Sequence, residues 1–287
     1  MVIKEYENAR AYLMDHEENL LIQEAVSQLV LYDAYHNRDM VLNEQCMFGV
    51  VMEEDKPLLH FCNVAPHNMA IYAQNVWKDM IGPSATLLAD YLASNHIAFH
   101  GLNARQEICL PFIEQYKKSV DCTFLEKLGT DIMEIREVHD IKPVEGFHRL
   151  ATLDEVKLIT DWMVNFQIEA LASEINYENA LNRATRLIVE NKLHVYEDME
   201  QTIVTMAAAA RKLAHGTAIN YVYTPEEYRG MGYAAANIYY MSKELLEQGN
   251  EFCTLFVDKK NPLSGRAYEK VGYQILEDNY EYLLLLN

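Results

Sequence analysis

Apolar residues recur every three or four positions near the start of the chain, which is the spacing of one helix face. Leu20, Leu21, Ala25 and Leu29 follow this spacing, so residues 5–38 are predicted to form one or two helices. Two runs rich in Val, Phe and Leu come next, CMFGVVM and LLHFCNV, with the acidic segment EEDKP between them. This pattern predicts a β-hairpin.

Helical and extended patterns alternate over the rest of the first half. The predicted elements are a helix over 84–94 with Ser84 as its N-cap, a short strand over 97–100 (IAFH), a helix near 103–117 and a strand near 132–138. A turn cluster, DIKPVEGFHRL, follows them. We therefore place a domain boundary near 140–147, between an N-terminal domain of residues 1–140 and a C-terminal domain of residues 147–287.

The C-terminal half opens with a helix whose start is marked by Thr152 and Glu155, at the spacing of a capping box. Further predicted elements are two helices, the strands KLHVYED, QTIVTMAAAARKL and HGTAINYVYT, a helix near 231–248, the strand EFCTLFVD, a helix near 262–271 and two closing strands within GYQILEDNYEYLLLL. This half begins with helices that lead into a sheet and continues with alternating strands and helices. The order predicts an α/β fold with a mixed sheet, as in α+β proteins.

The segment INYVYT and the glycine-rich turn after it are the most informative part of the chain. Strand alternation predicts that Ile219, Tyr221 and Tyr223 face one side and that Asn220, Val222 and Thr224 face the other. The turn RGMGYA, residues 229–234, then leads into a helix with an apolar stripe. Such a turn exposes backbone N–H groups at the positive end of a helix, where a diphosphate can approach. A tight turn without a ligand is the alternative.

A second segment, NPLSGRAY, places polar groups along one helix face. Asn261 suits the N-cap and Pro262 the first helical position, so Asn261, Ser264 and Tyr268 fall on one face and can converge on one ligand. The phenol of Tyr268 is a suitable proton donor to a thiolate. Without a ligand, Tyr268 is a core aromatic residue.

These two segments, in this order, resemble motifs of the GCN5-related N-acetyltransferase (GNAT) superfamily, in particular its FR47-like branch. Arg229, Gly232 and Ala234 match R-x-x-G-x-A, and residues 261–273 resemble N-x-x-[AS]-x-x-x-Y-x-x-x-G-[FY]. The resemblance covers about residues 147–287 and implies an acyl-CoA N-acyltransferase fold there. Because the N-terminal half has a similar element order, we hypothesise that it is a degenerate copy in a tandem arrangement.

The resemblance implies transfer of an acetyl or other short acyl group from coenzyme A to a primary amine. Acetyl-CoA is then the co-substrate, Tyr268 protonates the departing thiolate, and Asn261 hydrogen-bonds near the pantetheine. The residues implied to bind the cofactor are Val222, Tyr223, Thr224, Arg229, Gly230, Met231, Gly232, Tyr233, Ala234, Asn261 and Ser264. A catalytically inactive regulatory or scaffold protein that binds coenzyme A is the alternative function.

The base that deprotonates the amine is not evident from the sequence. The candidates are Glu169, Glu174, Glu226 and Glu227. Each is more simply a solvated surface charge, and water can accept the proton instead. The acceptor is expected to be a small molecule or a protein, and the acidic chain favours a cationic amine.

Composition and charge narrow the range of partners. Lys and Arg total 24 against 43 Asp and Glu, a formal net charge of −19 that repels nucleic acid and anionic membranes. The start of the chain carries Glu5 and Glu7, and no segment approaches the ~18 apolar residues of a membrane span, so we expect a cytoplasmic protein. Five cysteines without a C-x-x-C pair predict reduced, mostly buried thiols. His96 and His100 lie at the two ends of the segment HIAFH, and an extended conformation there places them roughly 13 Å apart. One ion cannot bridge that distance, so no metal is expected.

Overall fold

A computed structural model describes residues 1–39, 46–171 and 173–287 of the chain. The chain divides into two compact units, and each unit contains residues from both of the predicted domains. Unit 1 consists of Met1–Thr130 with Glu277–Asn287, and unit 2 of Asp131–Leu276. The division of function between residues 1–140 and 147–287 stays a prediction.

The first half of the chain, which forms most of unit 1, has a strand, two helices, three strands and then alternating helices and strands. Its elements are β1 (Val2–Tyr6), α1 (Ala9–Leu21), α2 (Glu24–His36), β2 (Cys46–Glu53), β3 (Lys56–Val64), β4 (Met69–Tyr72), α3 (Lys78–Ser94), β5 (Gly101–Ala104), α4 (Gln106–Ser119) and β6 (Cys122–Ile135). Asn8 caps α1 by accepting a hydrogen bond from the amide of Ala11 at 2.8 Å. The predicted helices before the hairpin and the β2–β3 hairpin are confirmed.

The sheet of unit 1 has helices on both faces. Strands β1 to β4 pair antiparallel in chain order, and β4 pairs parallel with β5. One face packs against α1 and α2, the other against α3 and α4. Alternate residues of β3 show this division, since Leu59 and Phe61 face α3 and α4 while Cys62 faces α1 and α2.

The second half of the chain, which forms most of unit 2, repeats the same order of elements. They are β7 (Phe147–Leu150), α5 (Val156–Leu171), α6 (Tyr177–Val189), β8 (Leu193–Glu197), β9 (Ile203–Lys212), β10 (Gly216–Tyr223), α7 (Tyr233–Glu247), β11 (Phe252–Asp258), α8 (Pro262–Val271) and β12 (Gln274–Leu286). The capping box of Thr152 and Glu155 is present just before α5, as predicted. Strands β7 to β10 pair antiparallel, and β10 pairs parallel with β11.

Both faces of the unit 2 sheet are also covered by helices. One core lies between the sheet and α5 and α6, and the other between the sheet and α7 and α8. None of the helices in the described ranges is both long and apolar enough to cross a bilayer.

The last strand of each half of the chain extends beyond its own half. Residues 277–286 of β12 belong to unit 1, where Tyr280–Leu283 pair antiparallel with β5. Residues 131–135 of β6 belong to unit 2 and lie beside β11, where Thr254 donates a hydrogen bond to the carbonyl of Met133 at 2.9 Å. Each unit is therefore completed by a strand from the other half of the sequence.

Three predictions of element boundaries are wrong. The strand expected at 97–100 lies instead at Gly101–Ala104. Ser84 is not an N-cap, because α3 begins at Lys78 and Ser84 is buried in its interior. The two closing strands are one continuous strand, β12. All five cysteines are free and four are buried; burial raises the pKa of the Cys253 thiol to about 12.

Candidate functional site

A β-bulge in β10 shapes the centre of unit 2. Asn220 lies opposite Ala208 and Tyr223 opposite Met206, so two residues of β10, Tyr221 and Val222, face a single residue of β9. Tyr221 takes a positive φ of 53°, and its amide donates to the side chain of Asn220 at 2.7 Å. The side-chain oxygen of Asn220 thus accepts the hydrogen bond that a backbone carbonyl of a neighbouring strand would otherwise accept.

The bulge overturns the predicted alternation along this strand. Ile219 and Val222 pack in the core beside α7 and α8, whereas Tyr221 and Tyr223 pack in the core beside α5 and α6. Ile219 was expected to share a side with Tyr221 and Tyr223. The extra residue shifts the two-residue period by one, which moves every later side chain to the opposite face.

The parallel strands β10 and β11 separate toward their carboxyl ends. Gly216, Thr217 and Ala218 pair with Phe252, Cys253 and Thr254. Within the fully described span 203–258, β10 continues to Tyr223 and β11 to Asp258 without further pairing between them. Backbone groups on the facing edges of the two strands are therefore available to an extended ligand.

The glycine-rich turn lies directly after β10 and leads into α7. Gly230 has a φ of 77° and Gly232 a φ of 92°, a left-handed conformation that favours glycine. Gly232 is the N-cap of α7 and supplies no side chain to its first amides. A Cβ added at Gly230 would meet nothing within 4 Å, and one at Gly232 would meet only Val144, at 3.9 Å. The turn is thus open in front of the positive end of the helix.

The side chain of Arg229 holds the turn against the strand and α5. Its Nε donates to the carbonyl of Thr224 at 2.8 Å, and its guanidinium pairs with Glu169. The ring of Tyr223 lies 5.8 Å from the guanidinium, and its hydroxyl donates to Glu169 at 3.0 Å. Burial and the bond to Glu169 raise the pKa of Tyr223. Glu169, expected to be a solvated surface charge, is half-exposed but bound on both sides.

The predicted polar face of α8 runs from the surface into the core. Asn261 is the N-cap, and its side chain accepts a hydrogen bond from the amide of Ser264 at 3.3 Å. Asn261 is exposed, Ser264 is half-buried, and Tyr268 is only 6% exposed. Burial raises the pKa of Tyr268, so its phenol keeps the proton at neutral pH.

The remaining predicted residues lie in different surroundings, and some of them belong to two separate clusters of apolar side chains. Tyr268 and Val222 pack in the same hydrophobic core, which also reaches Ala235 in the first turn of α7. Tyr233 belongs instead to a separate cluster, where its ring centroid lies 6.2 Å from that of Tyr196. Met231 is exposed at the tip of the turn, and Ala234 is half-buried. Tyr268 therefore lies in one apolar core with residues of β10 and of α7.

Sequence reasoning missed the residues that hold the bulge. Arg183 of α6 donates to the hydroxyl of Tyr221 at 2.6 Å, and Asn220 accepts from the amide of Tyr221. The one available signal was Asn220, a polar residue inside an apolar strand. Arg183 carried no signal, because it is one of several charged residues on an amphipathic helix.

The equivalent place in unit 1 has a different character. The segment between β4 and α3, residues 73–77, contains no glycine. The guanidinium of Arg105, at the end of β5, is buried there and donates to the carbonyl of Ala73 at 2.7 Å. It also pairs with Glu277 at 3.2 Å and bonds to Asn75. Side chains of unit 1 itself therefore occupy the strand ends that are open in unit 2.

Comparison with solved structures shows that this is the fold of the GNAT acetyltransferases. A GNAT-family acetyltransferase from Colwellia psychrerythraea is 13% identical, with a TM-score of 0.55, and the match covers 99% of this chain and 100% of that one. A GCN5-related N-acetyltransferase from Sphaerobacter thermophilus is 14% identical, with a TM-score of 0.61 over 98% of this chain and 94% of the other. A Drosophila protein is 11% identical, with a TM-score of 0.59 and coverage of 99% and 98%.

A family model matches one segment of the sequence. Residues 199–283 match the family described as FR47-like protein. This segment contains β9 to β11, the glycine-rich turn and α8, so it includes every residue predicted for the site. No curated protein matches the chain. The predicted fold and the predicted resemblance are confirmed.

Proposed function

We propose that unit 2 is an acetyl-CoA-dependent N-acetyltransferase that acts on a primary amine. The observation that supports this most directly is the separation of β10 and β11 immediately before an open glycine-rich turn. An extended, amide-rich pantetheine arm fits between separated strand edges, and a diphosphate fits the N-terminus of α7. The proposed sites for the pantetheine arm and for the diphosphate of coenzyme A are therefore in adjacent segments of the chain.

The chain's own residues supply positioning and one proton in the proposed reaction. The strand edge of Val222 to Thr224 holds the thioester so that the amine nitrogen can attack its carbonyl carbon. The carbon–sulfur bond then breaks, and the sulfur takes the phenolic proton of Tyr268. The proton lost by the amine passes to water, and the phenolate of Tyr268 takes a proton back from water before the next cycle. Asn261 and Ser264 form the start of α8 and are proposed to bind the pantetheine.

The binding part of the proposal is tested with two glycine substitutions on the same helix. Gly232 before α7 and Gly249 after it both have a positive φ, and Leu at either position carries a similar backbone strain of about 1–2 kcal/mol. We expect Gly232→Leu to abolish acetyl-CoA binding in calorimetry and Gly249→Leu to retain it. Equal affinity in both variants would contradict the assignment of the turn.

The catalytic part is tested by release of free thiol from acetyl-CoA over a panel of amines. We expect turnover with cationic amines to exceed turnover with anionic ones, because the chain carries a net charge of −19. The burial of Tyr268 among core side chains favours the alternative of an inactive coenzyme A-binding protein. Acetyl-CoA binding without thiol release for any amine would establish that alternative.

A further inference from the structure

Three metal-ligating side chains converge in unit 2 away from the glycine-rich turn. They are His148 on β7, His194 on β8 and Glu244 on α7, and their ligand atoms all lie within 4.8 Å of one another. The Nε2 atom of His148 is 3.1 Å from Nδ1 of His194, and that nitrogen is 3.9 Å from a carboxylate oxygen of Glu244. These residues are far apart in sequence, so the fold itself brings them together.

The sheet register explains why the two histidines meet. Strands β7 and β8 are antiparallel, with His148 opposite Tyr196 and Leu150 opposite His194. The histidines are therefore diagonal neighbours on one sheet face, and their rings stack at 5.0 Å. Tyr240 of α7 stacks on His148 at 5.8 Å. Glu244 lies one helical turn beyond Tyr240, which directs its carboxylate toward the pair.

The donor set and its spacing fit a zinc ion. Zn²⁺ binds imidazole nitrogen and carboxylate oxygen at about 2.0–2.2 Å, so two ligands of a tetrahedral site lie roughly 3.3 Å apart. The His148–His194 distance of 3.1 Å is close to that value, and the carboxylate oxygen of Glu244 lies 3.9 Å from His194 Nδ1.

We propose that His148, His194 and Glu244 bind one Zn²⁺ ion, with a water molecule as the fourth ligand. Glu244 is 43% exposed while His194 is 4% exposed, so the ion has an open side toward solvent and a closed side toward the sheet. The site joins α7 to β7 and β8. Glu244 lies three turns after Gly232, so the ion stabilises the helix that carries the turn and takes no part in acyl transfer.

The competing explanation is a single N–H···N hydrogen bond between the two imidazoles, with Glu244 as an independent surface charge. The two explanations differ in their ligand requirements. A hydrogen bond needs only the histidines and binds no ion, whereas the zinc site needs all three side chains. Substitution of the half-exposed Glu244 therefore separates them without disturbing the core.

The test uses metal-free full-length protein and titrates Zn²⁺ in competition with a chromophoric chelator. We expect one ion per chain, and we expect Glu244→Gln and His148→Gln to weaken binding by at least about 100-fold, beyond the 10- to 100-fold cost of losing an outer-shell partner. Glu247→Gln, an exposed position on the same helix, is the matched control and keeps wild-type affinity.

Two further readouts make the outcome decisive. Co²⁺ in the same site gives the visible absorption of a tetrahedral ion in the wild type and in Glu247→Gln, but not in Glu244→Gln. Zn²⁺ raises the thermal midpoint of the same two proteins only. Circular dichroism verifies that each variant is folded. Absence of zinc binding by the wild type, or binding that survives both ligand substitutions, would overturn the proposal.

Discussion

Tyr268 is the residue whose role distinguishes an enzyme from a binding protein. Tyr268→Phe keeps the ring in its core cluster and removes only the proton that the leaving sulfur is proposed to accept. We expect acetyl-CoA affinity and the thermal midpoint to stay nearly constant while kcat falls about 100-fold, the lower end of the range for general acid catalysis, because a thiolate is already a fair leaving group.

Tyr273 provides the matched control for this substitution. It lies in the same core, 6.1 Å from Tyr268 between ring centroids, and its hydroxyl is 2.8 Å from that of Ser242. Tyr273→Phe leaves Ser242 without that partner and should cost about 1–3 kcal/mol of stability with kcat retained. Wild-type turnover in Tyr268→Phe would remove Tyr268 from the mechanism.

A buried histidine in unit 1 predicts how stability depends on pH. His60 bonds to Tyr12 and Asn19 at 3.0 Å, and burial together with the nearby His16 lowers its pKa to about 3. The unfolded chain, with a histidine pKa near 6.5, binds a proton that the folded chain does not. Stability should therefore fall as the pH is lowered from 6.5 toward 3, by up to about 1.4 kcal/mol per pH unit from this group.

Urea denaturation between pH 4 and pH 7 measures this slope. His60→Gln should be less stable at pH 7 but should show a shallower pH dependence than the wild type, because the titrating group is gone. Ionisable groups that do not interact with His60 are the same in the two proteins, so their contributions cancel in the comparison. Identical slopes would show that His60 does not titrate in this way.

At the scale of elements, the sequence predicts most helices and strands but not the bulge. Periodicity identified β10 because its residues are apolar and β-branched or aromatic. The position of the extra residue depends on the positive φ of Tyr221 and on contacts from Asn220 and Arg183, which are tertiary. A pattern of alternation therefore found the strand and assigned Ile219 to the wrong face.

The misplaced strand of unit 1 has a similar cause. The apolar segment IAFH has the stronger strand composition, yet Gly101–Ala104 forms β5 because β4 and β12 pair with it on its two edges. A Cβ at Gly101 would lie 1.9 Å from the carbonyl oxygen of Tyr282, so this close approach requires glycine. β12 comes from the far end of the sequence, so the local pattern around residues 97–104 does not indicate that it pairs with β5.

Two polar residues within β12 make contacts in unit 1. Glu277 pairs with the buried guanidinium of Arg105, and Asp278 accepts a hydrogen bond from the amide of Gln106 at 3.3 Å. Glu277→Gln should destabilise the protein by on the order of 3 kcal/mol, because it leaves a buried charge without its counter-charge. Chemical denaturation followed by far-UV circular dichroism measures the loss.

Two further variants test whether burial is the reason. Asp15→Asn removes the half-exposed pair with Lys4 in the same unit and should cost less than about 1 kcal/mol. The double variant Arg105→Met with Glu277→Leu should recover most of the stability, since apolar side chains need no counter-charge. An effect of Glu277→Gln as small as that of Asp15→Asn would contradict the argument.

At the scale of the whole molecule, the same order of ten elements occurs twice, which supports the hypothesis of a tandem arrangement. The order was predictable from the alternation of patterns in the two halves. The completion of each unit by a strand from the other half was not, because strand partners are chosen by sheet geometry rather than by local sequence. One consequence is that residues 1–140 alone lack β12, one of the two partners of β5, so tests of unit 1 need the full chain.

The two units are predicted to differ in ligand binding, with one acetyl-CoA bound per chain. Unit 2 has the open glycine-rich turn, while unit 1 has no glycine between β4 and α3 and places the guanidinium of Arg105 on the carbonyl of Ala73. Calorimetry of the full chain should give a stoichiometry near 1, and Gly232→Leu should leave no residual binding. A stoichiometry near 2, or binding that persists in Gly232→Leu, would show that unit 1 also accepts coenzyme A.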